Sequence, residues 1–208
     1  MTSRPMQPIM GNAPLAQRGA VLVVALILLL VLTLIGVSTM ESTGMEMKMA
    51  NQSRERLIAM QAAEAGLRTA ERYIQDVGFS DAELSNSGCT ESSNHCFKSD
   101  CSDGGFCFNG SSAANVTGCT LSPLATPVWE SSALNVWNTS GRHQTLPQGN
   151  LDARVSYVVE FLCYIPTDIS QALSATNASL LFRITSLATT TTGKSRVMLQ
   201  STYRVIYD

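Results

Sequence analysis

The sequence predicts an α+β protein in which a long N-terminal helix, transmembrane and then amphipathic, packs on a C-terminal antiparallel sheet with a disulfide-rich insertion between the two. Three observations carry this reading. Residues 20–37 form an uncharged apolar run, apolar residues continue at helical spacing to Val77 without a proline, and three alternating stretches close the chain. At 208 residues there is room for one modest domain beside an anchor. The expected segments are a leader over 1–19, the helix over 20–77, a Cys-rich region over 78–150 and the sheet over 151–208.

The apolar run reads AVLVVALILLLVLTLIGV, and as a helix it rises roughly 27 Å, close to the hydrocarbon thickness of a bilayer. Every backbone N–H and C=O in such a helix is satisfied internally, as lipid requires. Residues 1–19 hold Arg4 and Arg18 and no acid, whereas Glu41 and Glu46 follow the run. The positive-inside rule therefore keeps the N-terminus in the cytoplasm and exports the rest. A cleaved secretory signal is the alternative, with Gly36, Val37 and Ser38 as the region where a peptidase would cut. The apolar core is longer than such a signal needs, and a helical pattern continues beyond it. Met60, Ala63, Leu67, Ala70, Ile74 and Val77 recur three or four apart on one face. Glu64 and Arg68 stand in the favourable order for an ion pair on the polar side, and Gly78 marks a stop. Fifty-eight helical residues would extend ~87 Å, more than one globular domain requires.

Residues 79–150 shift to Ser, Asn, Gly, Thr and Cys with poor periodicity, so disulfides rather than a core are expected to hold them. Cys89, Cys96, Cys101, Cys107, Cys119 and Cys163 are an even count, which fits an oxidising compartment and three intramolecular disulfides whose pairing the sequence leaves open. Cys163 ends an expected strand, so its partner is expected among residues 89–119. The spacings contain no C-x-x-C knuckle and neither histidine has a paired ligand, so no metal is expected. Asp100-Cys-Ser-Asp103-Gly-Gly105 brings two carboxylates close, but Ser111 stands where a calcium loop needs its twelfth-position acid. A disulfide-held turn is the simpler expectation. The Asn-x-Ser/Thr sequons at Asn51, Asn109, Asn115, Asn138 and Asn177 are what chance gives in this composition.

In the last segment Val155, Tyr157, Val159 and Phe161 form one apolar face. Leu180, Phe182 and Ile184 repeat the pattern with Arg183 and Thr185 opposite, and Val197, Leu199, Tyr203 and Val205 repeat it again with Ser201 interrupting. Thr191-Thr-Gly-Lys194 supplies the turn between the last two strands. A net charge of −2 with 14% charged residues offers no basic surface for a phosphate backbone, so nucleic acid is not an expected partner. His95 and His143 sit in loop-like sequence without a nucleophile motif, and neither catalysis nor a cofactor is expected.

The segment Gln17-Arg-Gly-Ala-Val-Leu-Val-Val-Ala-Leu-Ile27 resembles the cleavage region of type IV prepilins. With Leu34-Ile-Gly-Val-Ser-Thr-Met40 and Met60-Gln-Ala-Ala-Glu-Ala-Gly-Leu-Arg68 it is similar to the PilX-type minor pilins. Tyr157-Val-Val-Glu160, Phe182-Arg-Ile-Thr185 and Leu199-Gln-Ser-Thr-Tyr203 extend the likeness, while the Cys-rich middle carries none. The resemblance implies a type IV pilin-like fold and a prepilin peptidase that cuts between Gly19 and Ala20 on the cytoplasmic side. The apolar helix then stays on the mature protein, and the amine of Ala20 is methylated. It further implies a minor pilin acting in pilus assembly and initiation within a tip, or priming, complex, supporting adhesion or twitching motility. The implied partners are other minor pilins, the major pilin, the prepilin peptidase, the inner membrane and a large tip adhesin. The implied route runs from the inner membrane to the extracellular fibre.

One departure from the family is informative. Major pilins carry a glutamate at the fifth mature position, where this chain has Val24. In the family that carboxylate neutralises the N-terminal amine of the preceding subunit within an apolar fibre core, where an unpaired charge is costly. A subunit without it is expected at or near the tip. The other readings are a pseudopilin of a type II secretion system, against which the C-terminal pattern speaks, and an unprocessed single-pass binding module.

Overall fold

The computed structural model describes residues 19–84, 89, 95–109, 126–147, 152–168, 170–174 and 176–206. Its described residues form two compact units, which divide between Ala50 and Asn51. A single helix, α1 (Ala20–Val77), contributes to both. In the first unit, α1 is exposed along Ala20–Val37, 18 residues long and apolar enough to cross a membrane.

The second unit contains the rest of α1 and five strands: β1 (Phe106–Phe108), β2 (Gln144–Thr145), β3 (Ala153–Pro166), β4 (Ala178–Thr190) and β5 (Arg196–Val205). The sheet order is β1-β3-β4-β5, with β2 also paired to β3. β3, β4 and β5 are antiparallel, as their alternation predicts, and Thr191 to Lys194 turn the β4–β5 connection. The sheet is nevertheless mixed, because β1 joins β3 in parallel, with Phe106 opposite Val159 and Phe108 opposite Phe161. Three residues are too few for a period to show in the sequence.

The helix packs on β3 and β4 through Ala59, Ala62, Ala63, Gly66, Ala70 and Ile74, all buried, with Leu67, Tyr73 and Val77 partly covered. Met60, read as part of this face, is instead 43% exposed. The side against the sheet is lined by small residues, and a methionine would hold the helix away. Gly66 marks the closest approach: a Cβ there would overlap Ser186 Oγ and come within 2.7 Å of Val155 Cγ1. Gly66→Val is expected to lower unfolding stability by ~1–3 kcal/mol through overpacking, measured by denaturation of the detergent-solubilised chain.

The polar edge of this helix half faces β5. Glu64 and Arg68 form no ion pair; among the described residues the salt bridge is Arg183–Glu160. Instead Ser201 Oγ donates to Glu71 Oε1 (3.0 Å) and the Tyr203 hydroxyl to Gln75 Oε1 (3.2 Å). The serine that interrupts the apolar alternation of β5 therefore has a partner on the helix.

Gly78 ends the helix at φ +62°, a conformation that glycine enters without steric cost. The next residue, Phe79, enters a core with Phe97, Phe106, Phe161 and Phe182, its ring 5.1 Å from Phe97 and 5.9 Å from Phe182. Three of these five rings, Phe79, Phe97 and Phe106, come from the Cys-rich region, which was expected to contribute little to a core. Phe97 and Phe106 are buried, so the region is held by packing as well as by disulfides. The alternation of β3 changes phase at a bulge between Phe161 and Cys163. Beyond it Tyr164 turns into the core and its hydroxyl donates to Asp81 Oδ1 (2.9 Å). Burial, reinforced by that carboxylate, pushes the Tyr164 phenol well above its ordinary pKa.

Candidate functional site

Gly19 lies in a turn directly before α1, and Ala20 is the first helical residue; both are exposed. Among the described residues, no atom beyond its own chain neighbours stands within 4 Å of a Cβ built at Gly19. Val24, one turn further on, is 55% exposed and shares an apolar side of the helix with Ala20, Val21, Ala25 and Leu28. Residues 1–18, which the sequence reading assigns to a leader, lie outside the described residues.

On the face of the sheet turned away from α1, Glu160 of β3 stands directly opposite Arg183 of β4. Both are buried, and the guanidinium grips the carboxylate in two bonds, Nε to Oε2 (2.9 Å) and Nη2 to Oε1 (2.6 Å). Glu160 Oε1 also accepts the amide of Asn109 (2.8 Å) and the backbone N–H of Val128 (3.1 Å). Asn109 continues the chain of bonds to Thr126 O, and its own N–H donates to Phe161 O. One carboxylate thus ties two central strands, the end of β1 and a short 3-10 helix (Val128–Glu130) together. Beside this knot Val158 packs against Val128, Val136, Cys101 and Cys107. Sequence reading placed Arg183 on this face but missed the pair. The signal was there: single opposite charges at the same phase of two neighbouring apolar strands.

Two disulfides join near neighbours, Cys89 to Cys96 and Cys101 to Cys107, with Cα separations of 5.6 and 4.4 Å. Cys163 is also disulfide-bonded, to a partner outside the described residues. Of the six cysteines the count leaves Cys119 for it. Peptide mapping of the unreduced protein is expected to recover a fragment joining Cys119 to Cys163. A Cys163 peptide carrying any other partner, or a free thiol, would rule that pairing out.

The carboxylates weighed for calcium are turned into their own loop. Asp100 Oδ1 accepts the Ser102 N–H (3.1 Å), and Asp103 Oδ2 accepts the Cys96 N–H (2.6 Å). Burial works against ionising Asp100, but the hydrogen bonds from Ser102 outweigh it and hold the carboxyl below its ordinary pKa. His95 is hydrogen-bonded through Nδ1 to the Tyr73 hydroxyl (2.8 Å), and His143 Nδ1–H donates to Val136 O (2.7 Å). Both rings serve as struts between segments.

No curated protein and no solved structure matches the chain. Family models do. The one described as PilX N-terminal matches residues 18–68, spanning Gly19, Ala20, Val24 and the small-residue face of α1 up to Gly66. The one described as type IV pilus assembly protein PilX C-term matches residues 85–205, taking in the cysteines, the Glu160–Arg183 pair and the whole sheet. With an exposed apolar helix end, a helix seated on a sheet and both family models covering most of its length, the chain belongs to the PilX family of type IV pilus minor pilins.

Proposed function

We propose that this minor pilin primes type IV pilus assembly from the tip. It enters the inner membrane with its N-terminus in the cytoplasm, loses residues 1–19 to a prepilin peptidase, and is methylated at the amine of Ala20. It then joins other minor pilins ahead of the major pilin, where it can also carry an adhesin or support twitching motility. The observation that carries the tip position is Val24. It occupies the fifth place after the cut, in an exposed apolar stretch without a charge. A subunit lacking a carboxylate there offers no ionic partner to the amine of a neighbour above it, and loses nothing where no such neighbour exists.

The test is copy number and carboxylate replacement together. Deletion of the protein is expected to reduce the number of pili more than their length, because a failed start removes a whole fibre. Val24→Glu is expected to be neutral or harmful, since the new charge would sit unpaired in an apolar setting at a cost of roughly several kcal/mol if ionised. Immunogold labelling along the shaft at major-pilin density, or more pili in Val24→Glu, would overturn the tip position.

A further inference from the structure

Both tryptophans of the chain line one groove on the face of the sheet turned away from α1. It has a volume of about 410 Å³ and is formed by Trp129, Trp137, Leu187, Arg196 and Met198. Leu187 and Met198 are cross-strand partners and supply an apolar floor. The indoles rise from the segment after Pro127, and Trp129 Nε1–H donates to Gln200 Oε1 at 3.5 Å. Both indoles are half-buried, leaving part of each ring open.

Among the described residues that line the groove, the charged one is Arg196. Arg196 and Arg154 both stand opposite Thr189, one on each neighbouring strand, so they share this face, and both are exposed. The salt bridge found among the described residues is Arg183–Glu160, so neither of these arginines has a carboxylate partner. Among the described residues no acid lines the groove, although Glu130 follows Trp129 on the exposed side.

We propose that this groove binds a sugar unit bearing a carboxylate. Indole faces take the apolar C–H side of a sugar ring, and a planar guanidinium takes a carboxylate in two parallel bonds. The size favours one small ligand. Small-molecule sites run to ~300–1,000 Å³, whereas a stable protein interface needs about 800 Å² from each partner. The exposed guanidiniums select against cationic ligands. Acidic polysaccharide at a surface is the class of polymer that presents such units. This binding role does not depend on where in the fibre the subunit sits.

The two tryptophans make the groove its own reporter, because intrinsic fluorescence of this chain comes from indoles that both line it. The full mature protein in detergent micelles is titrated with tri-galacturonate, with neutral galactotriose and with tri-glutamate. The acidic sugar is expected to give a saturable emission change at a concentration roughly tenfold lower than the neutral sugar. Arg196→Ala is expected to erase that preference, and Trp137→Phe to weaken binding of both sugars. Arg196 is exposed, so its loss leaves the fold intact, which far-UV circular dichroism checks; Arg196→Lys, keeping charge without the planar fork, is expected to fall between. An absent saturable response to tri-galacturonate, an equal response to tri-glutamate, or a preference unchanged in Arg196→Ala would each overturn the proposal.

Discussion

Gly19→Val is expected to leave the protein in the inner membrane as an uncut precursor that keeps residues 1–19. The substitution is expected to act on the peptidase rather than on the fold, because among the described residues a Cβ at Gly19 meets nothing within 4 Å. Glycine lets the backbone run extended and close to an enzyme, and a β-branched side chain closes much of that conformational range. Processing is a single covalent step, so the effect should approach all or none in a blot of membrane fractions. Pili would be lost with it if the uncut chain cannot enter the tip. A mass spectrum of the wild-type mature protein checks the same point independently, since it should begin at a methylated Ala20. A mature chain starting at Thr39 would show that the apolar run is a discarded signal, and the processing reading would fall.

Much of this architecture can be read before any coordinates. Eighteen uncharged residues, a 3.6-residue period and Gly78 define the helix, because each is a local signal. The three long strands are equally open, since a two-residue alternation needs only a few residues to appear. What stays hidden depends on partners far apart in the chain. The three residues of β1 have no period of their own, and their parallel pairing rests on contact with Val159, Glu160 and Phe161. Met60 fits the helical spacing as well as Ala59 does, and only the closeness of Ser186 and Val155 to Gly66 shows that small residues are wanted there. The Phe161/Cys163 bulge moves Tyr164 into the core by changing the phase of one strand. Composition could not reveal the aromatic core of the Cys-rich region, because Phe97 stands alone among polar residues and Phe106-Cys-Phe108 is too short to show a period. At the amino end, the roles proposed for Gly19, Ala20 and Val24 rest on sequence and resemblance, whereas the groove of Trp129 and Trp137 is assembled from the Pro127 segment and two strands.

Glu160→Ala is expected to destabilise the sheet-containing unit by ~3–5 kcal/mol, the range for breaking a buried pair and leaving one charge behind. The pair is 3% and 0% exposed, so Arg183 would have little access to water once its carboxylate is gone. The same change strands the Val128 N–H and removes one of the two bonds of the Asn109 amide, which keeps Thr126 O. Such a loss is a large part of the roughly 5–15 kcal/mol that holds a domain together. Because Glu160 also anchors the segment beginning at Val128, proteolysis should cut that segment faster in the variant, before the strands unfold. Replacing both partners, Glu160→Leu with Arg183→Met, is expected to cost less than Glu160→Ala alone, since no buried charge is left unmatched. Denaturant unfolding of the three proteins decides it. A Glu160→Ala chain within about 1 kcal/mol of the wild type would show that the pair contributes little here, as exposed ion pairs do. A double variant less stable than the single would show that packing, not charge matching, sets the cost.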